Sequence, residues 1–222
     1  MQDVGTRGES PEAERATTNR THRGRRGRIL RIAGLVFIGG ALALGAYIWW
    51  TLWGTGFATA AAQEEIRPEF ERTIGSSTPE EAPPKVAQVP GDAVAIIRIP
   101  KIDVDLVVVE GTDVESLKKG PGHYTDTAYP WEATGRVGIA GHRTTYGAPF
   151  WSLNELRPGD RIVLATEYGI FEYRITGSQI ISPSDGSVLR STEEPTLVLT
   201  TCNPRFSAAE RLIVFADRVD EV

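Results

Sequence analysis

The chain has 222 residues, 41% of them hydrophobic and 24% charged, which is enough apolar content for one folded core and too much for wholesale disorder. Its formal net charge of −5 conceals a division: residues 1–31 hold eight arginines against four acids, leaving 16 bases against 25 acids in the remainder. The single cysteine, Cys202, excludes an intramolecular disulfide framework and any multi-cysteine zinc or iron–sulfur site. With only three histidines (His22, His123 and His142), no metal and no cofactor are expected.

The basic head abuts Ile32–Trp53, a run of 22 residues without a charge. As a helix rising ~1.5 Å per residue it reaches about 33 Å, enough to cross a hydrocarbon core of about 30 Å. Tyr47, Trp49, Trp50 and Trp53 crowd its far end, where amphipathic rings favour the headgroup layer. A basic arm placed here points to a membrane rather than to nucleic acid. The arginine cluster sets the N-terminus in the cytoplasm, so that 1–31 is a cytoplasmic tail, 32–53 a single-pass anchor, and everything after Trp53 lies outside. Ala58-Thr59-Ala60 and Ala60-Ala61-Ala62 resemble signal-peptide cleavage sites, but the long polar head and the length of the apolar run favour an uncleaved anchor.

Residues 54–90 read as a linker containing five of the fourteen prolines and too few apolar residues to fold alone, with a short helix over Glu64 to Arg72. From 91 to 222 the pattern becomes short β-rich runs separated by turn residues, which predicts an all-β domain closed as a barrel of about eight strands with one or two short helices. The strands expected are Ala93–Ile99, Val104–Val109, Gly135–Ala140, Arg161–Thr166, Phe171–Ser178, Thr196–Thr201 and Arg211–Val219. Tyr168-Gly169 marks a hairpin turn, and helical patterns follow Thr112 (Asp113–Lys119) and span Pro149–Leu156.

A lone cysteine in an exported domain is a small buried hydrophobe, an intermolecular disulfide partner or a nucleophile. Cys202 ends the run Thr196-Leu-Val-Leu-Thr-Thr-Cys202, where a strand emerges into a loop. Arg211 opens the next strand, and antiparallel pairing of the two would bring Cys202 and Arg211 within about 5 Å between backbones. A cation there favours the thiolate, which is the nucleophile, and can stabilise an oxyanion on a carbonyl under attack. The missing proton shuttle is offered by His142, at the end of the small-residue run Gly138-Ile-Ala-Gly141. A reference pKa of about 6.5 lets an imidazole protonate a leaving amine and deprotonate an incoming one. Spacing alone does not join His142 to Cys202 across 60 residues, and a structural histidine with a surface arginine stays open at this point.

The block Thr196-Leu-Val-Leu-Thr-Thr-Cys202 with its downstream Arg211 resembles the sortase signature TLxTC and its arginine; Ile139-Ala-Gly-His142-Arg143 resembles the matching histidine segment, and Gly120-Pro-Gly-His123 a stretch upstream of it. Within that family, Gly141 to Phe150 and Cys202 to Val214 are most similar to class E. The resemblance implies a cysteine transpeptidase with Cys202 as nucleophile, His142 as general acid/base and Arg211 as substrate and oxyanion partner. It implies cleavage of a C-terminal sorting motif of LAxTG or LPxTG type between Thr and Gly through a thioacyl enzyme, and transfer to an amine of a lipid-linked cell-wall precursor. Its partners would be exported proteins bearing that signal. Tyr146, Thr200 and Thr201 are the candidate substrate-binding residues. The chain departs from the family at Pro130-Trp131-Glu132, where a glycine usually follows the proline, and an indole there is expected to alter the loop beside the substrate groove and with it the fine substrate preference. His123 reads as a loop histidine with a backbone partner, and Arg143 as a solvated charge. The signatures of L,D-transpeptidases (S-x-G-C-x-R) and of papain-like enzymes (C-G-S-C-W) are absent. The non-enzymatic alternative is a tethered β-domain that binds wall or protein partners with an inert thiol.

Overall fold

The computed structural model describes residues 12–78, 82 and 92–219. The chain divides into two compact units, Met1–Trp49 and Trp50–Val222. The first is a helix, α1 (Glu12–Trp49), whose apolar side chains, among them Leu35, Val36, Phe37 and Leu42, are exposed. One helix among the described residues is long and apolar enough to cross a membrane, and none of its apolar window is buried by protein. Its apolar part has the length and composition of either a membrane anchor or a signal segment.

The second unit opens with a π-helical turn, Trp50–Gly54, and a helix α2 (Thr55–Phe70), then folds as eight strands. These are β1 (Ala93–Ile99), β2 (Val104–Glu110), β3 (Gly122–His123), β4 (Arg136–Ala140), β5 (Arg161–Thr166), β6 (Gly169–Ile181), β7 (Thr196–Asn203) and β8 (Glu210–Val219). They close in the order β1-β2-β3-β4-β7-β8-β6-β5, with parallel pairing at β2–β3 and β4–β7. The β5–β6 hairpin turns over Glu167-Tyr168, one residue ahead of the Tyr168-Gly169 signal, with Gly169 already paired to Thr166. The two-residue β3 has no pattern of its own and exists because it bridges β2 and β4. A short helix α3 (Val114–Lys119) is capped by Asp113, whose carboxylate accepts from the amides of Glu115 and Ser116, so the cap lies one residue past Thr112. Of the helix expected over Pro149–Leu156 only a 3₁₀ turn, Leu153–Glu155, forms. Phe150 and Leu153 are buried there and the Phe150 amide donates to His142 O, which spends the segment on core packing and loop closure.

Strand alternation sorts the side chains. Ala95, Ile97 and Ile99 of β1, Ile162 and Leu164 of β5, Leu197 and Leu199 of β7, and Leu212, Val214 and Ala216 of β8 fill the interior. Ile96, Val107 and Ala165 face outward and are covered by Ile66 and Phe70 of α2 and by Ile74. Helix α2 begins at Thr55, upstream of the short helix read from Glu64, and lies on the barrel. Its polar residues do much of the docking: Gln63 Nε2 donates to Val107 O at 3.0 Å and to Lys119 O at 2.9 Å, its Oε1 accepts from the Val107 amide at 2.7 Å, and Thr59 Oγ1 donates to Lys118 O at 2.7 Å. Gln63 thus completes the hydrogen bonding of Val107 as a neighbouring strand would. Much of the remaining 54–90 linker lies outside the described residues.

Candidate active site

The site is assembled by β4, β7 and β8. In the parallel β4–β7 pair Arg136 meets Thr196 and Ala140 meets Thr200, a constant offset of 60 residues. Beyond the strand end the pairing continues, with the Gly141 amide donating to Thr200 O at 3.0 Å and Thr201 Oγ1 donating to Gly141 O at 2.8 Å. Two strands running the same way end at the same rim, so His142 follows β4 where Cys202 stands near the end of β7. On the other flank the antiparallel register pairs Cys202 with Arg211. Side chains of directly opposed residues share a face. Because Leu199 and Leu212 point inward, Cys202 and Arg211 project from the outer face of the barrel.

Gly141 has a physical reason to be glycine: a Cβ there would sit 2.5 Å from Cδ2 of the buried Phe150 ring. After it, the His142 ring packs against Tyr146, the centroids 4.8 Å apart and the planes tilted by 37°. Among the described residues His142 Nε2 is buried without a hydrogen-bond partner. Burial pushes the imidazole below its ordinary value of 6.5, which favours the neutral ring. Arg211 is half-buried and its Nη1 donates to Ala208 O and Glu210 O, both at 3.0 Å, on the β7–β8 connection.

Other expectations are revised. Arg143 is buried rather than solvated: Nη1 donates to Cys202 O at 3.1 Å and Asn203 Oδ1 at 2.6 Å, and Nη2 to Asn154 Oδ1 at 2.9 Å. It ties the His142 loop to the end of β7. Burial, and then the neighbouring Arg205 cation, push its guanidinium below the usual value, while Cys202 acts the other way. Thr200 and Thr201 are buried and committed within the protein, Thr200 Oγ1 to Tyr124 Oη at 2.9 Å and Thr201 Oγ1 to Gly141 O. Their hydroxyls hold strand ends. His123 has a carboxylate as well as a backbone partner: Nδ1 lies 3.1 Å from Glu110 Oε2 and Nε2 lies 3.0 Å from Ala128 O, all deep in the fold. Trp131 does not border the site. It stacks on Tyr129 at 4.8 Å, while Arg218, whose amide donates to Pro195 O beside the start of β7, reaches the carbonyls of Pro130 and Glu132. That is the end of β7 opposite Cys202.

Beside the His142 loop lies a mainly apolar hollow of about 350 Å³ lined by Trp53, Gly56, Thr144, Gly147, Trp151 and Phe206. No group of three or more His, Cys, Asp or Glu suited to a metal occurs among the described residues. The rim itself offers a thiol, an imidazole and a guanidinium, a set able to support acyl transfer through sulfur.

The chain is similar to several known proteins. Sortase D of Bacillus subtilis is 42% identical over 134 residues, covering 58% of this chain and 65% of that protein. Sortase SrtE1 of Streptomyces coelicolor is 31% identical over 213 residues, covering 86% of this chain and 57% of that one. The chain thus spans less than two thirds of the length of either relative. Among solved structures, the sortase D5 transpeptidase of Clostridium perfringens superposes with a TM-score of 0.63 at 32% identity, over 72% of this chain and 99% of that one. The sortase domain model matches residues 97–219, more than half the chain and all three strands that build the rim; the chain belongs to the sortase family.

Proposed function

We propose that the protein is a membrane-anchored cysteine transpeptidase of class E type that cuts a C-terminal sorting motif between Thr and Gly and passes the acyl group to a cell-wall amine. The observation that carries this reading is the register of β4, β7 and β8, which lines His142, Cys202 and Arg211 along one rim. His142 takes the proton of the Cys202 thiol as the sulfur attacks the Thr carbonyl carbon, and the C–N bond to Gly breaks as His142 passes that proton to the departing amine. An incoming amine then loses a proton to His142 and attacks the thioester carbon, the C–S bond breaks, and His142 returns that proton to the sulfur. Arg211 supplies positive charge for the carbonyl oxygen as charge develops on it. The apolar hollow beside Tyr146 receives the aliphatic part of the motif. The apolar helix anchors the enzyme with its N-terminus in the cytoplasm and the barrel outside, where exported proteins and lipid-linked wall precursors meet.

The test is turnover by the detergent-solubilised full chain of LAxTG and LPxTG peptides with an added amine. Cleavage between Thr and Gly and a ligated product are expected, with LAxTG the better substrate. Both vanish in Cys202→Ala, and His142→Ala lowers the rate roughly 10²- to 10⁴-fold. Cleavage that survives Cys202→Ala overturns the mechanism.

A further inference from the structure

Three consecutive residues after His142 have left-handed backbone: Tyr146 (φ 51°), Gly147 (φ 72°) and Ala148 (φ 46°). Two of them carry a Cβ, and such backbone persists only where its surroundings over-determine it. Within the loop, the Ala148 amide donates to Thr145 O at 2.8 Å and the Phe150 amide to His142 O at 3.1 Å. Arg143 ties the start of the loop to β7, the Trp151 amide donates to Ala148 O at 3.0 Å, and a further restraint comes from α2, outside the barrel. The Tyr146 amide donates to Thr55 Oγ1 at 3.0 Å, and the Thr55 hydroxyl donates in turn to Thr51 O at 3.0 Å, so the oxygen is held facing the loop. One residue on, Gly56 lies so close that a Cβ there would be 3.5 Å from the Gly147 nitrogen, while a Cβ on Gly147 would meet Thr59 Cγ2 at 3.7 Å. The helix itself is immobilised further along by Thr59, Gln63, Ile66 and Phe70. The loop it touches bears the Tyr146 ring that packs, tilted, against His142.

We propose that Thr55 is a positioning residue for acyl transfer: the first turn of α2 clamps Tyr146 and so holds the His142 ring where a thioacyl enzyme can form and be resolved. This rests on His142 being the acid/base of the proposed mechanism. The helix that follows the apolar segment is thereby a part of the active site and not a passive tether. Thr55 touches neither substrate nor the reacting atoms and acts through the Tyr146 amide alone.

The test uses the full chain in detergent micelles and compares Thr55→Val, which keeps the shape and removes the oxygen, with Thr55→Ser, which restores it. Thr55→Val is expected to lower kcat roughly 10- to 100-fold with KM within about twofold, since misplacement of a catalytic group acts on the reacting geometry rather than on ground-state binding. The Tyr146 amide should exchange faster with deuterium, and the His142 titration should move up toward 6.5 as the loop opens to water. Thr55→Ser should return all three to near the parent values. Parent kcat and unchanged Tyr146 exchange in Thr55→Val overturn the proposal, as does a Thr55→Ser chain no better than Thr55→Val. If Thr55→Val does not fold, Gly56→Leu, which pushes on Gly147 from the same turn, is read by the same exchange and kcat measurements, and unchanged values there also overturn it. His142→Ala tells the two failures apart: turnover that survives it defeats the acid/base reading, whereas its loss beside an active Thr55→Val defeats only the positioning role.

Discussion

Around the thiol, single side chains are fixed by what they touch. Gly141 leaves room for Phe150, so Gly141→Ala drives a methyl group into a fully buried ring. Overpacking of this kind is expected to cost about 1–3 kcal/mol in urea unfolding, and pairing it with Phe150→Leu should recover part of the loss. Arg143 serves three acceptors on two different segments. Arg143→Ala leaves them without their charged donor and should lower stability by about 2 kcal/mol and depress turnover, with Arg143→Lys intermediate because an ammonium lacks the planar fork. For His142, burial disfavours the imidazolium, so the folded chain binds fewer protons than the unfolded one, whose imidazole titrates near 6.5. No stability is at stake from this group above about pH 6.5. Stability is lost as pH falls from there toward the lower folded value. The ring protons of His142 should accordingly titrate below 6.5 by NMR, and His142→Gln should flatten the urea midpoint over that window; a midpoint at or above 6.5 contradicts a buried ring.

Elements here are defined by their partners as much as by their own residues. The β7 pattern Thr-Leu-Val-Leu-Thr-Thr is legible as a strand because its alternate leucines fill the barrel, yet the strand's use depends on β4 beside it and β8 beyond. Helix α2 is the opposite case. Its sequence mixes four alanines and two phenylalanines with Glu, Gln, Thr and Arg, and beside the apolar cover given by Ile66 and Phe70 its grip comes from two polar side chains, Gln63 and Thr59, bonded to backbone groups of Val107 and Lys118. Gln63→Ala strips the buried Val107 amide and carbonyl of their partner, and the loss expected is about 1–3 kcal/mol. Hydrogen exchange should show the Val107 amide opening first, and protection equal to the parent's would show that the glutamine contributes nothing.

On the scale of the whole molecule, the one cysteine makes the proposed topology directly readable. In intact cells expressing the full chain, a membrane-impermeant maleimide should modify Cys202. A Cys202→Ala chain carrying Ser10→Cys should be modified only after lysis. Labelling of position 10 in intact cells would reverse the orientation.

Particular residues show how far local information reaches. The charge-free run, the arginines before it and the period-two strands are properties of neighbouring residues, and composition and side-chain alternation express them directly; β1 and β5 begin and end where the pattern puts them. The Cys202–Arg211 pairing was also accessible, since a short connection between two strands makes antiparallel neighbours. Motif resemblance pointed to His142 as the partner of Cys202, but only the parallel β4–β7 register, set by how the whole barrel closes, lays a 60-residue separation side by side. The two-residue β3, the burial of Arg143 and the reach of Thr55 to Tyr146 likewise belong to tertiary structure. Each depends on a hydrogen-bond partner brought in from a distant part of the chain, and no local pattern encodes which distant group will arrive.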